Sequence, residues 1–175
     1  MIKLHSDMIL PEGNLLNLID FIYLNLIQNS GNANYFIRRI ILTSKNIDVD
    51  KISDTILERF PDKVHLYSSV DSVDSTENVN TEQPQLYSPE FLRFLIISEL
   101  PPGELKLKVR VPIMLLRNLN SSEGLCNRTR LIYRGLQNKV IDVEIITGFH
   151  LSKRVFIFQI TITSFDNNLL FILKR

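Results

Sequence analysis

The sequence predicts an α+β chain, an α/β fragment followed by a small antiparallel β-barrel, on three observations. Long helical spacing of apolar residues stops at Phe60. After Pro102 the pattern changes to short alternating runs separated by turn residues at close intervals, the habit of a small barrel. Between the two lies a polar, acidic stretch without periodicity. No internal repeat is evident.

The first helix is predicted over 13–28, where Leu15, Leu18, Ile19, Ile22 and Leu26 share one face and Pro11 marks the upstream boundary. Ser30-Gly31-Asn32 stops it. Residues 35–43 read as a strand, with Ile40-Ile41-Leu42 as its buried centre. Helical spacing returns over 47–60 through Val49, Ile52, Ile56 and Phe60, until Pro61 ends it. This helix-strand-helix order is what half of an α/β nucleotide-binding-type fold would show. Residues 65–86, rich in Ser, Asp, Asn, Glu and Thr, read as an exposed acidic loop or linker. A short helix is expected over 89–95. Strands follow over 105–109, 112–117, 130–134, 140–146 and 154–163, with turns at 120–124, 135–138 and 148–152.

Composition narrows the function classes. A hydrophobic content of 45% is ample for a core, and 22% charged residues is ordinary. A single cysteine excludes an intrachain disulfide. The longest apolar runs are short and interrupted, so no membrane-spanning helix is expected, and residues 1–11 lack the basic start and apolar core of a secretory signal. An intracellular soluble protein is the expectation. The net charge of +1 conceals a polarity. Residues 47–90 hold ten acids and three bases, whereas residues 101–139 hold eight cations against Glu104 and Glu123, a local excess of +6. A small β module with such an excess is a candidate for touching a polyanion.

Two sets of residues carry that possibility. Alternation through Lys106-Leu107-Lys108-Val109-Arg110 would set Lys106, Lys108 and Arg110 along one strand face, where cations in line suit a phosphate backbone. Arg117, Arg128 and Arg130 extend the set. The plainer account is a solvated outer face, on which lysines guard an edge against aggregation. Tyr133 is the only aromatic in the segment, which argues against strong base stacking there. Thr43-Ser44-Lys45-Asn46 lies where the expected strand meets a helix, a place where phosphates collect. Its plainer account is that Ser44 or Asn46 caps the helix. Cys126 reads as a small buried or half-buried residue at the start of a strand with no activating neighbour, and His5, His65 and His150 form no ligand-spaced cluster, so neither a nucleophile nor a metal is expected.

The run LPPGELKLKVRVPIMLLRNLNSSEGLCNRTRL, residues 100–131, resembles the signature of the 2B domain of Pif-family ATP-dependent DNA helicases, in the form carried by Helitron-type mobile elements. IKLHSDMILP, LIDFIYLNLI, RRIILTSKNIDVDKISDTIL, YSPEFL and VEIITGFHLSKRVFIFQITIT occur in the matching order, so the likeness extends over nearly the whole chain. It implies part of the second RecA-like domain over 1–64, an acidic linker over 65–88, and an SH3-like 2B β domain with returning strands over 89–175. It implies a motor that unwinds DNA 5′-to-3′, acting in repair, recombination or transposon replication in the nucleus, with single-stranded DNA as partner. Thr43 and Asn46 would then contact phosphates.

The intact family uses ATP and Mg²⁺. This sequence has no G-x-x-x-x-G-K-[ST] and no magnesium-holding acidic pair after an apolar strand, so it is expected to hold no cofactor and not to hydrolyse ATP alone. A chain supplying the missing motor parts is a further expected partner; a membrane is not. The chain also departs from the family pattern. Arg110 and Arg128 stand where glycine is usual, and Phe158-Gln159 replaces Pro-Arg. If those glycines supply a positive φ, each arginine is strained. The alternatives are a protein-interaction module, its acidic segment folded over the basic face, or a non-functional remnant of a mobile-element gene.

Overall fold

The computed structural model describes residues 13–74, 88–95, 101–137, 140–163 and 172–175. The motif at residues 2–11, Tyr87, the acids Glu77 and Glu82, and Lys139 lie outside them. Helix α1 (Leu15–Ile22) starts where Asn14 Oδ1 accepts from Asn17 N at 2.8 Å. It is shorter than its apolar spacing predicts, and the chain continues through turns to Gly31. Helix α2 (Ala33–Ile37) follows, its first turn capped by Asn32 Oδ1, which accepts from Tyr35 N at 3.2 Å.

α2 occupies the place where the sequence predicts a strand over 35–43, and that expectation is corrected. Residues 39–43 have no regular structure, and Ile40 and Leu42 are 51% and 82% exposed. The physical reason is local. A buried strand needs hydrogen-bonded neighbours, none of the described strands lies beside this segment, and the Asn32 cap starts a helix instead.

Helix α3 (Asn46–Arg59) agrees with the spacing to within a residue and stops before Pro61. The stretch read as an exposed loop opens instead with two strands, β1 (His65–Ser68) and β2 (Ser72–Asp74); the rest of it, 75–87, lies outside the described residues. Their partners are distant in sequence, which is why local composition concealed them. β1 pairs antiparallel with β3 (Glu104–Leu107), and β2 pairs with β8 (Ile172–Lys174). Helix α4 (Pro89–Phe94) carries Pro near its start and Ser88 as cap, as its sequence requires.

The largest element is a four-stranded antiparallel sheet, ordered β4 (Pro112–Met114), β5 (Arg130–Gln137), β6 (Val140–Ile145), β7 (Arg154–Ile157). A bulge between Tyr133 and Gly135 breaks the β5–β6 register. One face packs Leu131, Val143, Ile145 and Val155 with Leu125. A second cluster packs Ile132, Tyr133 and Ile146 with Phe36, Phe60 and Leu107, and so joins the sheet to the helical layer. A small third cluster of Leu92 and Leu173 lies beside a buried Asp71–Arg175 ion pair.

The α+β expectation holds, and among the described residues the sheets are open, with β4 and β7 as edges of the largest. The cause is a turn at 108–111. It separates β3 from β4 and sends β3 to pair with β1 rather than extend the main sheet.

Candidate nucleic-acid interface

Two tight turns frame the β4–β5 pair, and each places an arginine in the left-handed region. Val111 N donates to Lys108 O at 3.3 Å, with Arg110 as third residue at φ 71°. Thr129 N donates to Cys126 O at 3.1 Å, with Arg128 in the same position at φ 67°. That position favours glycine because a Cβ crowds the backbone there. Both turns are pinned to the sheet, Arg110 N donating to Tyr133 O and Arg128 N to Leu115 O, each at 2.7 Å. Of the two uses a glycine could have at these positions, a positive φ or a close backbone approach, the positive φ is present at both.

The same turn dissolves the predicted row of cations. The strand ends at Leu107, so Lys106, Lys108 and Arg110 do not line one face, and that expectation is corrected. Lys106 is exposed on β3. Lys108 Nζ donates to Phe60 O at 2.7 Å, filling a carbonyl at the end of α3. Arg110 Nη2 donates to Asp62 Oδ2 at 2.9 Å and remains partly open to solvent. Arg130 is used more fully: its guanidinium donates to Phe36 O at 2.7 Å, Arg39 O at 3.0 Å and Ile37 O at 3.4 Å, closing the carbonyl end of α2. Lys108, Arg110 and Arg130 thus fasten the β hairpin to the helical layer, while Arg128 is exposed and Arg117 half-buried.

At the start of α3, neither Ser44 nor Asn46 caps the helix. Lys45 is its cap residue and makes no side-chain cap bond, and Thr43 Oγ1 accepts from Lys45 N at 3.3 Å in the preceding turn. Asn46 is exposed as the first helical residue.

Several residues that sequence reasoning passed over organise the surface. Gly31, at φ 75°, lets the chain pass against two arginines; a Cβ there would lie 2.9 Å from Arg134 Nη1 and 3.1 Å from Arg110 Cγ. Arg134 donates to Glu144 Oε2 at 2.7 Å and to Gly31 O at 3.0 Å. Lys153 pairs with Glu123, holding its carboxyl below the usual range first by hydrogen bonding and then by charge. Arg154 pairs with the buried Asp142. The hydroxyl of Tyr133, in the core between sheet and helices, hydrogen-bonds to His65 Nδ1 and, at 2.9 Å, to Tyr67 Oη. Burial, and then the Tyr67 bond, push that hydroxyl far above the ordinary tyrosine range. Cys126 is free and half-buried. None of the described helices is long and apolar enough to cross a membrane.

Residues 90–136 match the family model described as DNA helicase Pif1, 2B domain. Curated proteins show no match. Among solved structures, unliganded Pif1 from Bacteroides sp is 20% identical over 75% of this chain and 36% of its own, at a TM-score of 0.47. The Bacteroides sp Pif1 complex with ADP-AlF4 is 16% identical over 94% of this chain and 33% of its own, at 0.46. Bacteroides Pif1 bound to ssDNA is 18% identical over 87% of this chain and 36% of its own, at 0.45. The chain spans about a third of the length of these proteins. The basic hairpin of β4 and β5 lies almost wholly inside the matched segment, so it is residues 90–136 that are similar to the 2B domain of the DNA helicase Pif1.

Proposed function

We propose that this chain is a single-strand-gripping part of a Pif-type 5′-to-3′ DNA helicase. In this reading it contributes weak, salt-dependent contacts to single-stranded DNA and does not hydrolyse ATP by itself. The observation that supports it is the 2B match over 90–136, which contains the exposed Lys106 and Arg128. The contact uses fewer residues than the sequence predicts. Lys106 and Arg128, with Arg117, carry the phosphate contacts; Lys108, Arg110 and Arg130 hold the hairpin; Thr43 and Asn46 offer a second contact at the exposed start of α3. ATP and Mg²⁺ would be held by motor parts on other residues than these 175, supplied by a longer protein or a partner chain. In such a whole, the open sheet would be part of an SH3-like barrel. The protein would work inside the cell, in the nucleus, in repair, recombination or copying of a Helitron-type element.

The test is fluorescence anisotropy of a labelled single-stranded oligonucleotide at several salt concentrations. Log affinity should fall linearly with log salt, with a slope of a few units, and K106E with R128E should weaken binding and reduce that slope without unfolding the protein. Folded protein that binds no oligonucleotide at low salt would refute the reading. An interaction module is the second reading, favoured by the exposed Phe21, Leu24, Ile40 and Leu42 on the helical part. A remnant would unfold broadly and without cooperativity on heating.

A further inference from the structure

The two edges of the main sheet are finished differently. β4 is three residues long and opens on Pro112, which has no N–H to donate, so it offers little to a further strand. Among the described residues, β7 has no strand beyond it and its outer side is open. Residues 155–163, VFIFQITIT, hold no charge, no proline and no glycine, and are built mostly of β-branched and aromatic side chains. Phe158-Gln159 stands where the resembled pattern has Pro-Arg, so a proline and a cation that would discourage pairing are both replaced.

The surroundings of this segment match its sequence. Val155 and Ile157 turn inward to pack with Leu125, and Phe156, on the opposite face of the strand, is 48% exposed. Beyond β7 the chain has no regular structure through 158–161, and Phe158 and Ile160 are 65% and 48% exposed. The cations next to this edge are already matched, Lys153 by Glu123 and Arg154 by Asp142, so the edge carries almost no net charge. It neither holds a polyanion nor repels a like edge. What it lacks are hydrogen-bond partners and a cover for its apolar side chains, and another strand supplies both at once.

We propose that this strand comes from a second copy of the chain: two β7 edges, extended through Ile160, pair antiparallel about a two-fold axis at Phe158 and join two four-stranded sheets into one. The register selects the second copy. It sets Phe156 opposite Ile160 and Phe158 opposite its counterpart, an aromatic cross-strand pair, and brings no like charges face to face between Val155 and Thr161. The axis also closes the assembly, because both copies use the same edge and the short β4 does not extend the sheet further. So short a contact is smaller than a standard interface, which makes the dimer weak, half formed on the order of tens of micromolar.

Sedimentation equilibrium of the full chain at several concentrations tests this, beside F158P and Q159R, each of which returns one blocking residue. The native chain should pass from monomer to dimer with no larger species, and each variant should raise the dissociation constant about tenfold or more. Both positions are exposed and lie outside the strands, so all three proteins should melt together when dilute. In a C126S background, F158C should form a disulfide across the axis on mild oxidation, since cross-strand Cα atoms lie about 4.5–5.5 Å apart. L151C, also exposed but off the edge, should not. A native chain still monomeric at about ten times the expected concentration, or a dimer left unchanged by F158P and Q159R, would overturn the proposal. A chain that stays monomeric yet binds an extended Val/Thr-rich peptide, and fails to do so as F158P, would overturn the second copy in favour of a partner's strand.

Discussion

Arg128 holds two opposed properties in one residue. Its φ of 67° places a Cβ where glycine would relieve crowding, while its exposed guanidinium serves the proposed phosphate contact. R128G should therefore stabilise the protein by about 0.5–1 kcal/mol in chemical denaturation. The same substitution should lower the salt slope of oligonucleotide binding by about one unit. R110G should gain less, because it also removes the Asp62 ion pair. Tyr133 gives a second residue-level prediction. Its hydroxyl holds its proton more tightly in the folded chain than in the unfolded one, so its stabilisation is complete below the ordinary tyrosine value of about 10 and is lost as pH rises above it. Denaturation midpoints should fall above about pH 10, and Y133F should flatten that fall while lowering stability at neutral pH, since His65 and Tyr67 lose a partner.

Among elements, the helix α2 and the strand β5 are joined through one side chain. Arg130 satisfies three carbonyls at and after the end of a five-residue helix that is too short to persist alone. R130A should cost about 2–3 kcal/mol of stability, the usual loss when charged hydrogen bonds at a half-buried site are removed, whereas K106A should leave the unfolding midpoint nearly unchanged. Oligonucleotide binding separates the two roles: K106A should weaken binding in fully folded protein, and R130A should weaken it only in proportion to unfolding. The legibility of the site differs along the same line. The sequence marks Lys106, Lys108, Arg110 and Arg130 as equivalent cations. Hydrogen bonds to carbonyls from other parts of the chain then divide them into fasteners and free charges.

For the molecule as a whole, the Asp71–Arg175 pair carries a disproportionate load. Both side chains are almost fully buried, and Arg175 also donates to Leu92 O at 2.7 Å and Pro101 O at 2.9 Å. It joins the strand β2 region, helix α4 and the 101–103 segment around the small third core. D71A should cost about 3–5 kcal/mol, because a guanidinium would remain buried without its counter-charge. A double variant, D71A with R175M, should recover much of that loss in the same denaturation assay.

The sequence by itself determined the α+β class, the helix over 46–59, where each strand of the main sheet starts, and the likeness of residues 90–136 to the Pif1 2B domain. It also marked Arg110 and Arg128 as standing where the resembled pattern has glycine, and the structure then showed both to be left-handed. These are local matters of periodicity, turn chemistry and motif, which neighbouring residues encode. Only the tertiary structure decided that residues 39–43 form no strand, that β1 pairs with β3, and that Arg130 closes the carbonyl end of α2. Each of those depends on partners far away in the chain. A strand exists by virtue of what it pairs with, and a cation is free only if no distant carbonyl or carboxylate has claimed it.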